Sequence, residues 1–283
     1  ALNGGGSAFW GTLNNCTFSD NMAVSYGGGQ FGAGTLNNCI LSDNTAHQGG
    51  GANQSTLNNC TLSGNSATGS GGGAYYSRLN SCVLTLNSAG GGGGSIGCVL
   101  NNCTLSSNVA VGGGGGDFTG TLKNCTLTGN SAGSAGGGAY YSEMYNCTLW
   151  GNTAGDKGGG ARGGTLNNCV VWGNRLGNGT TNDVQDGTYY YSCASGLSVS
   201  NGCVGGNPLF VNAANGNVRL QVGSPCIDSG DNSLAPDRLD LDGNVRIADG
   251  NGDGTVMVDM GAYECGAAGW MVVTFDPQWG ASP

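Results

Sequence analysis

A run of alternating acidic and glycine residues near the end of the chain could bind a divalent cation. Asp249, Asn251 and Asp253 stand at alternate positions, and a glycine follows them. Oxygen ligands at positions 1, 3 and 5 with glycine at position 6 open the calcium loop of EF-hands. Position 12, where that loop requires an acid, is Met260, and Asp259 comes one residue early. We predict that Asp259 joins the other three in a calcium site; the alternative is an acidic, glycine-rich turn without metal.

Paired carboxylates could also cleave polysaccharides. The dense pairs are Asp183 with Asp186 and Asp240 with Asp242, whereas the acids of residues 1–176 stand at unrelated positions. Cleavage of a glycosidic bond needs two carboxyl groups that flank the bond. We interpret these pairs as solvated loop acids, with Asp240 and Asp242 also available to complete the calcium site. We therefore expect no enzymatic activity, and the alternative is a polysaccharide lyase or hydrolase.

Aromatic residues could form a platform for extracellular glycans. Trp150 and Trp172 each stand three residues after a repeated cysteine, and Tyr76 and Tyr141 are also candidates for outward positions. A stacked pair of tryptophans would suit a sugar ring. We prefer the alternative that the C-terminal segment folds back over the tryptophans, because they occur where the repeats end.

The distribution of charge makes nucleic acid an unlikely partner class. Residues 1–176 hold five acids and five bases, so the net charge of −9 belongs to the last third of the chain. No basic patch is present that could neutralise phosphates. No stretch is long and apolar enough to predict a membrane span.

The element that must position all these residues is a repeat. Eight cysteines follow one another at steps of 21 to 23 residues, with asparagine five residues after each and leucine or methionine three residues before. A constant period with constant offsets is typical of one unit stacked on copies of itself. The two ladders comprise Cys16, Cys39, Cys60, Cys82, Cys103, Cys125, Cys147 and Cys169, and Asn21, Asn44, Asn65, Asn87, Asn108, Asn130, Asn152 and Asn174.

One repeat has the length of one coil of a parallel β-helix. Cys60 and Leu62 are two residues apart and share a strand face, whereas Leu57 to Cys60 is an odd step that requires a bend. Asparagine suits that bend, because it tolerates the left-handed conformation. Asn65 marks a second bend and the glycine run a third. We predict an all-β solenoid of about eight three-sided coils, with ladders of buried cysteine and of mutually bonded asparagine.

Sequence motifs in the repeats and in the C-terminal third carry a family resemblance. Asn-Cys-Thr-Leu-x-Gly-Asn-x-Ala followed by Gly-Gly-Gly-Ala, together with residues 206–211, 223–231, 240–247 and 258–264, resembles secreted bacterial right-handed parallel β-helix proteins of the choice-of-anchor or polymorphic-outer-membrane-protein-like group. The resemblance covers nearly the whole chain to Glu264. It implies a right-handed coil, an extracellular or cell-surface location, and an adhesive or structural role.

This interpretation divides the chain into regular repeats (1–176), a C-terminal end or cap region (177–265) and an extension (266–283). We expect the ladder cysteines to be mostly reduced thiols, because in-register strands give an awkward disulfide dihedral. Export would favour disulfides in the less regular part. The expected pairs there are Cys193 with Cys203 and Cys226 with Cys265.

The two ends predict self-assembly. A coil end exposes unpaired backbone groups that can pair with another chain. The sequence opens inside a repeat, and the extension contains an apolar strand, Trp270, Met271, Val272, Val273, Thr274 and Phe275. Unlike ends favour a head-to-tail fibre. The alternative is that the last strand packs on its own coil.

Overall fold

The protein is a parallel β-solenoid. The computed structural model describes residues 2–4, 6 and 10–266. Three sheets of nine strands and one of eight run along the axis, and every strand pairs in parallel with its equivalents one coil away. The predicted all-β solenoid with coils of about 22 residues is confirmed. The described residues contain no α-helix, and accordingly no helix there is suited to crossing a membrane.

Each coil has four sides, so the prediction of three sides is wrong. The first sheet comprises Thr12–Asn14, Thr35–Asn37, Thr56–Asn58, Arg78–Asn80, Val99–Asn101, Thr121–Lys123, Glu143–Tyr145, Thr165–Asn167 and Thr188–Tyr190. The second comprises Thr17–Ser19, Ile40–Ser42, Thr61–Ser63, Val83–Thr85, Thr104–Ser106, Thr126–Thr128, Thr148–Trp150, Val170–Trp172 and Cys193–Ala194.

The glycine-run corner separates the other two sheets. The third sheet comprises Leu2–Gly4, Ala23–Tyr26, Thr45–Gln48, Ser66–Ser70, Ser88–Gly91, Val109–Ala110, Ser131–Ala132, Thr153–Ala154 and Arg175–Leu176. The fourth comprises Gln30–Phe31, Ala52–Asn53, Ala74–Tyr75, Ser95–Ile96, Asp117–Phe118, Ala139–Tyr140, Ala161–Arg162 and Val184–Gln185. The coil thus continues past residue 176.

A left-handed residue turns the chain at each corner. In the third coil these residues are Asn59 (φ 51°), Gly64 (φ 64°), Gly71 (φ 68°) and Tyr76 (φ 45°). The first three lie at the predicted bends. The fourth corner has no constant residue type, and so the repeat pattern does not reveal it. Glycine is required beside the third corner, because a Cβ on Gly72 would overlap carbonyl oxygens of the next coil.

The core is a narrow column inside the four sheets. Leu57, Cys60 and Leu62 of one coil are at most 1% exposed, and their equivalents stack on them. Alanine faces inward from the other two sheets, as at Ala67 and Ala74. Each fully buried leucine contributes about 1.5–3 kcal/mol. The core therefore comes mainly from two of the four sides.

A C-terminal region, here residues 207–266, follows the last coil. It has two antiparallel pairs, Phe210–Asn212 with Asn217–Leu220 and Ile247–Ala248 with Met257–Val258, and the 3₁₀ turns Ala213–Asn215 and Asn232–Leu234. It folds back on the outside of the second sheet. A second apolar cluster forms there, in which Val170 and Cys193 of the coils contact Leu220, Cys226, Ile227 and Met260.

Candidate functional site

The inner asparagine ladder is an axial hydrogen-bond chain. The side-chain Nδ2 of Asn87 donates to Oδ1 of Asn108 at 3.0 Å and to the carbonyl of Leu62 at 2.9 Å, while its backbone N–H donates to the same Oδ1. Equivalent side-chain bonds of 2.9–3.0 Å join every consecutive pair from Asn21 to Asn174. The predicted ladder of mutually bonded asparagines is confirmed, and these amides bind each coil to the next.

Asp183 closes this ladder at its C-terminal end. Its Oδ1 accepts the Asn174 backbone N–H at 2.7 Å and the Asn174 side-chain amide at 3.0 Å. The carboxyl is 2% exposed, and burial raises its pKa. The interpretation of Asp183 as a solvated loop acid is therefore wrong. Its predicted partner Asp186 is exposed and forms an ion pair with Arg162 at 3.3 Å.

The cysteine ladder lines the core as free thiols. Seven of its eight members are buried and Cys16 is half-buried. The backbone N–H of Cys60 donates to Sγ of Cys82 at 3.4 Å, and the Cys60 thiol donates to the Asn58 carbonyl at 3.3 Å. A hydrogen bond to Cys103, together with burial, raises the pKa of Cys82 to about 12. The thiols thus act as small apolar groups with local hydrogen bonds.

A second, outer asparagine ladder was not predicted. It lies on the outside of the first sheet, where successive side-chain amides bond over 2.7–2.9 Å. Its members are Asn14, Asn37, Asn58, Asn80 and Asn101. The sequence signal for four of the five members was an Asn-Asn pair, whose first residue forms this ladder and whose second turns the corner; Asn80 is followed by Ser81.

A second buried carboxyl, besides Asp183, lies inside the coils. Asp117 is 0% exposed and accepts hydrogen bonds from the hydroxyls of Ser95 at 2.6 Å and Ser142 at 2.7 Å and from the Gly120 N–H at 2.8 Å. Burial raises its pKa to about 6. Its equivalents in neighbouring coils are alanine or serine, and the alternation of the strand was the signal that could have placed it inside.

The C-terminal region is bound to the coils by corner asparagines. Asn124 donates to the carbonyl of Leu239 at 3.0 Å and to Asp237 at 3.2 Å. Asn168 donates to the Asp231 carbonyl at 2.9 Å and accepts the Asp231 N–H at 2.8 Å. Between them Asn146 donates to a carbonyl of the same region at 3.3 Å. The corners that bend the chain therefore also hold the C-terminal region.

Arg246 is the centre of this contact. Its side chain is 1% exposed and forms an ion pair with Glu264 at 2.9 Å. It also donates to the carbonyls of Gly261 at 3.0 Å and Ala262 at 3.1 Å and to Oδ1 of Asn124 at 2.6 Å. A single guanidinium therefore joins the C-terminal region to the sixth coil.

Two further acids surround this guanidinium. The Glu264 carboxylate accepts the Asp259 backbone N–H at 3.2 Å, and the Glu264 N–H donates to Asp240 at 2.8 Å. Burial raises the pKa of Glu264 to about 8 and that of Asp259 to about 6. Asp240 is buried and accepts turn N–H groups, so its interpretation as a solvated acid is wrong, whereas Asp242 pairs with Arg219 at 2.5 Å.

The predicted calcium loop is exposed and internally bonded. Asp249 accepts the N–H groups of Gly252 at 2.6 Å and Gly254 at 2.9 Å, Asn251 accepts that of Asp253 at 2.8 Å, and Asp253 is itself an acceptor. A hydrogen bond from the Thr255 N–H lowers the pKa of Asp253. The loop is thus closed by its own oxygens.

The Asp259 carboxylate lies beside Gly250 of this loop but is already occupied by hydrogen bonds. Both of its oxygens accept backbone N–H groups, from Asp228 at 2.8 Å and Cys265 at 2.6 Å. Within residues 10–266, no group of three or more His, Cys, Asp or Glu side chains is arranged to hold a metal ion. Calcium binding therefore stays a prediction that concerns Asp249, Asn251 and Asp253.

The four C-terminal cysteines are also free thiols in this structure. Cys193 and Cys226 belong to one buried cluster, with Cys265 packed at its edge. Cys203 is 6% exposed. The predicted pairs, Cys193 with Cys203 and Cys226 with Cys265, are not formed here, and the neighbour of Cys193 in the cluster is Cys226.

The tryptophan pair lies beside the C-terminal region. Trp150 and Trp172 are in register on adjacent strands and both are half-buried. Trp172 packs against the cluster that contains Leu220 and Met260. This packing agrees with the interpretation that the C-terminal segment folds back over Trp172. The predicted assembly strand, Trp270 to Phe275, lies outside the described residues.

Comparisons with known proteins add little to this geometry. No protein-family model matches the chain, and no curated protein matches it. Among solved structures the chain is similar to full-length QnrB1, described as a plasmid-mediated fluoroquinolone resistance protein, at 13% identity. The match covers 65% of this chain and 93% of QnrB1 with a TM-score of 0.20. A score this low carries no inference about this protein.

Proposed function

We propose that this chain is a structural protein: a rigid, right-handed solenoid that is extracellular or on the cell surface. The observation that carries the proposal is the inner asparagine ladder, which runs from Asn21 to Asn174 and closes on Asp183. Because each buried amide bonds to the next coil, bending or stretching the rod would break hydrogen bonds in a dry core. A continuous ladder of buried hydrogen bonds suits a rigid spacer of fixed length.

The location and the hand of the coil are supported by the sequence resemblance. Head-to-tail assembly is the finer part of the proposal. It is supported by the general tendency of an open strand edge to pair with another chain. Calcium bound at Asp249, Asn251 and Asp253 would neutralise part of the acidic C-terminal region, and the alternation of oxygen-bearing side chains supports it.

Electron microscopy of the purified full chain tests the structural proposal. We expect rods about 40 Å long at low concentration, since about eight coils each add roughly 4.8 Å. Fibres whose length grows with concentration would support head-to-tail assembly, and rods of unchanged length at high concentration would contradict it. Globular particles without a long axis would overturn the rod itself.

Surface exposure on the source cells tests the location. Brief protease treatment of intact cells should remove the protein, while a cytoplasmic marker enzyme stays intact as the control. A protein that is protected until the cells are lysed contradicts the proposal. A reducing-sugar assay on neutral and acidic polysaccharides tests the enzymatic alternative, and turnover there would overturn a purely structural role.

A further inference from the structure

The outer face of the fourth sheet carries a row of aromatic rings. Phe31, Tyr75, Phe118 and Tyr140 occupy equivalent positions on its strands, and all are half-buried. The residues before them on the strands face inward, as at Ala74, which is 0% exposed. We call these four residues, together with the corner residues Tyr76 and Tyr141, the aromatic stripe. The structural ladders do not use it.

Three rings of the stripe, those of Phe31, Tyr75 and Phe118, are two coils apart, whereas Tyr140 lies on the coil directly after Phe118, with ring centroids 5.0 Å apart. Asn53 stands between Phe31 and Tyr75, and Ile96 stands between Tyr75 and Phe118. Two coils correspond to about 9.6 Å along the axis. This is close to the disaccharide length of an extended β-1,4-linked glycan, in which alternate sugars present the same face. Phe31, Tyr75 and Phe118 could therefore stack on equivalent sugars of one chain.

The corner tyrosines widen the stripe toward solvent. Tyr76 is 58% exposed and lies edge-on to Tyr75 with ring centroids 4.7 Å apart. Tyr141 is 52% exposed and lies 4.5 Å from Tyr140. Both adopt left-handed backbone, with φ of 45° and 52°. A bulky residue in that conformation costs about 1–3 kcal/mol, so the coil would be more stable with asparagine or glycine there.

A buried amide lies within the stripe without a hydrogen-bond partner. Asn53 is 1% exposed, and neither its Nδ2 nor its Oδ1 is bonded. Its register neighbours are Phe31 and Tyr75. An unsatisfied buried amide costs about 1–3 kcal/mol. A ligand hydroxyl that reached it when a neighbouring ring rotates would supply both the missing donor and the missing acceptor.

The stripe is almost uncharged. Among the outward positions of the fourth sheet, all within the described residues, Arg162 is the charged one, and it is paired with Asp186 at 3.3 Å. Its guanidinium also lies 5.6 Å from the ring of Tyr140. Beside the rings runs the glycine corner, where Gly113 offers no side chain to obstruct Tyr140. The surface therefore favours a neutral partner with apolar faces and hydroxyl edges.

We infer that the aromatic stripe binds a neutral, extended β-1,4-linked glycan that lies parallel to the solenoid axis. The rings of Phe31, Tyr75 and Phe118 stack on alternate sugars, and the amide of Asn53 bonds to a hydroxyl between the first two rings. This binding adds a partner to the proposed structural role and does not depend on that role.

Isothermal titration of the full chain with cellohexaose and mannohexaose tests the inference, with maltohexaose as the α-linked control. We expect saturable binding of at least one β-linked probe and none of maltohexaose. The double variant Tyr76→Asn/Tyr141→Asn should keep or raise the melting temperature, since asparagine tolerates the left-handed conformation. It should weaken binding about tenfold through loss of two aromatic contacts.

The matched control is Leu86→Asn, which replaces another exposed, left-handed apolar residue, at a corner away from the stripe. It should leave the affinity unchanged. Absence of binding to both β-linked probes overturns the inference, as does equal affinity in the double variant. A loss of binding in Trp150→Ala with none in the double variant also overturns it. Sedimentation velocity covers the remaining case: a change of oligomeric state in the double variant would mean that the stripe contacts a second copy and not a glycan.

Discussion

Replacement of Arg246 by leucine should release the C-terminal region from the coils. The guanidinium is 1% exposed and serves four acceptors on both sides of the contact: Glu264, Asn124 and two carbonyls of the C-terminal region. Leucine has similar apolar bulk but cannot donate a hydrogen bond. The change therefore leaves the Oδ1 of Asn124 buried without its Arg246 donor, and the Glu264 carboxylate keeps the Asp259 N–H but loses its charged partner.

The expected cost is about 3–5 kcal/mol, because removing one partner of a buried ion pair strands the other charge. The lower end applies near neutral pH, since burial raises the pKa of Glu264 to about 8 and the stranded carboxyl can take up a proton. Units of a solenoid depend mainly on their neighbours. The loss should therefore fall on residues 207–266, while the first coils keep their stability.

Hydrogen exchange with peptide resolution measures this directly. In Arg246→Leu the C-terminal peptides should exchange faster, and those of coils two to four should not change. The control is Arg219→Leu, which breaks an ion pair in the same region whose side chains are 44% and 33% exposed, so it should cost less than about 1 kcal/mol. If the two variants behave alike, the buried guanidinium does not hold the region. The double variant Arg246→Leu/Glu264→Leu should recover part of the loss.

Three further outcomes follow from the ladders, the buried carboxyl and the acidic loop. Burial raises the pKa of Asp117 from 3.8 to about 6, so the fold favours the protonated carboxyl. This contribution of about 3 kcal/mol to the free energy of unfolding is complete below pH 3.8 and is lost as the pH rises through 6. The urea midpoints at pH 4 and pH 7 should therefore differ less in Asp117→Asn than in the unchanged chain. Asn108→Ala removes the hydrogen bonds to Asn130 and to the Leu84 carbonyl, and it should lower the free energy of unfolding by about 3 kcal/mol. Its control, Asn101→Ala in the outer ladder, should lower it by less than about 1 kcal/mol. Equal denaturation midpoints in the two variants would contradict a stabilising role for the inner ladder. Calcium should raise the melting temperature relative to chelator, and Asp249→Ala should abolish the rise; a rise that persists in the variant would place the ion elsewhere.

The sequence was sufficient for the features that recur in every coil. The period located the inner ladders at Cys60 and Asn65, and the odd step from Leu57 located the corner at Asn59. The number of sides was wrong because the fourth corner is Tyr76 in one coil and Gly97 in the next. A corner that any residue can occupy leaves no periodic signal, although strand alternation after the glycine run would have revealed a fourth side.

The C-terminal contacts could not be predicted, because they join distant parts of the chain only once. Arg246 meets Asn124 across 122 residues, and no repetition marks either as a partner. Asp183 looked like a loop acid, since its neighbour Asp186 is one. Asp183 differs from Asp186 because it lies at the end of the inner asparagine ladder. The amide of Asn174 still needs an acceptor there, and the Asp183 carboxylate supplies it.

The two parts of the molecule should respond to different solution conditions. The coils are held by asparagine amides, which do not ionise, and by buried thiols such as that of Cys39, whose pKa is raised by burial. The C-terminal region is held by Arg246 among Glu264 and Asp259, whose raised pKa values favour the protonated carboxyls in the folded state. A change from pH 5 to pH 8 therefore removes protons from the contact and weakens it. Within the coils the carboxyls with raised pKa values are those of Asp117 and Asp183, so the coils without them should not respond. The C-terminal region should continue to weaken as the pH rises through the pKa of Glu264, about 8.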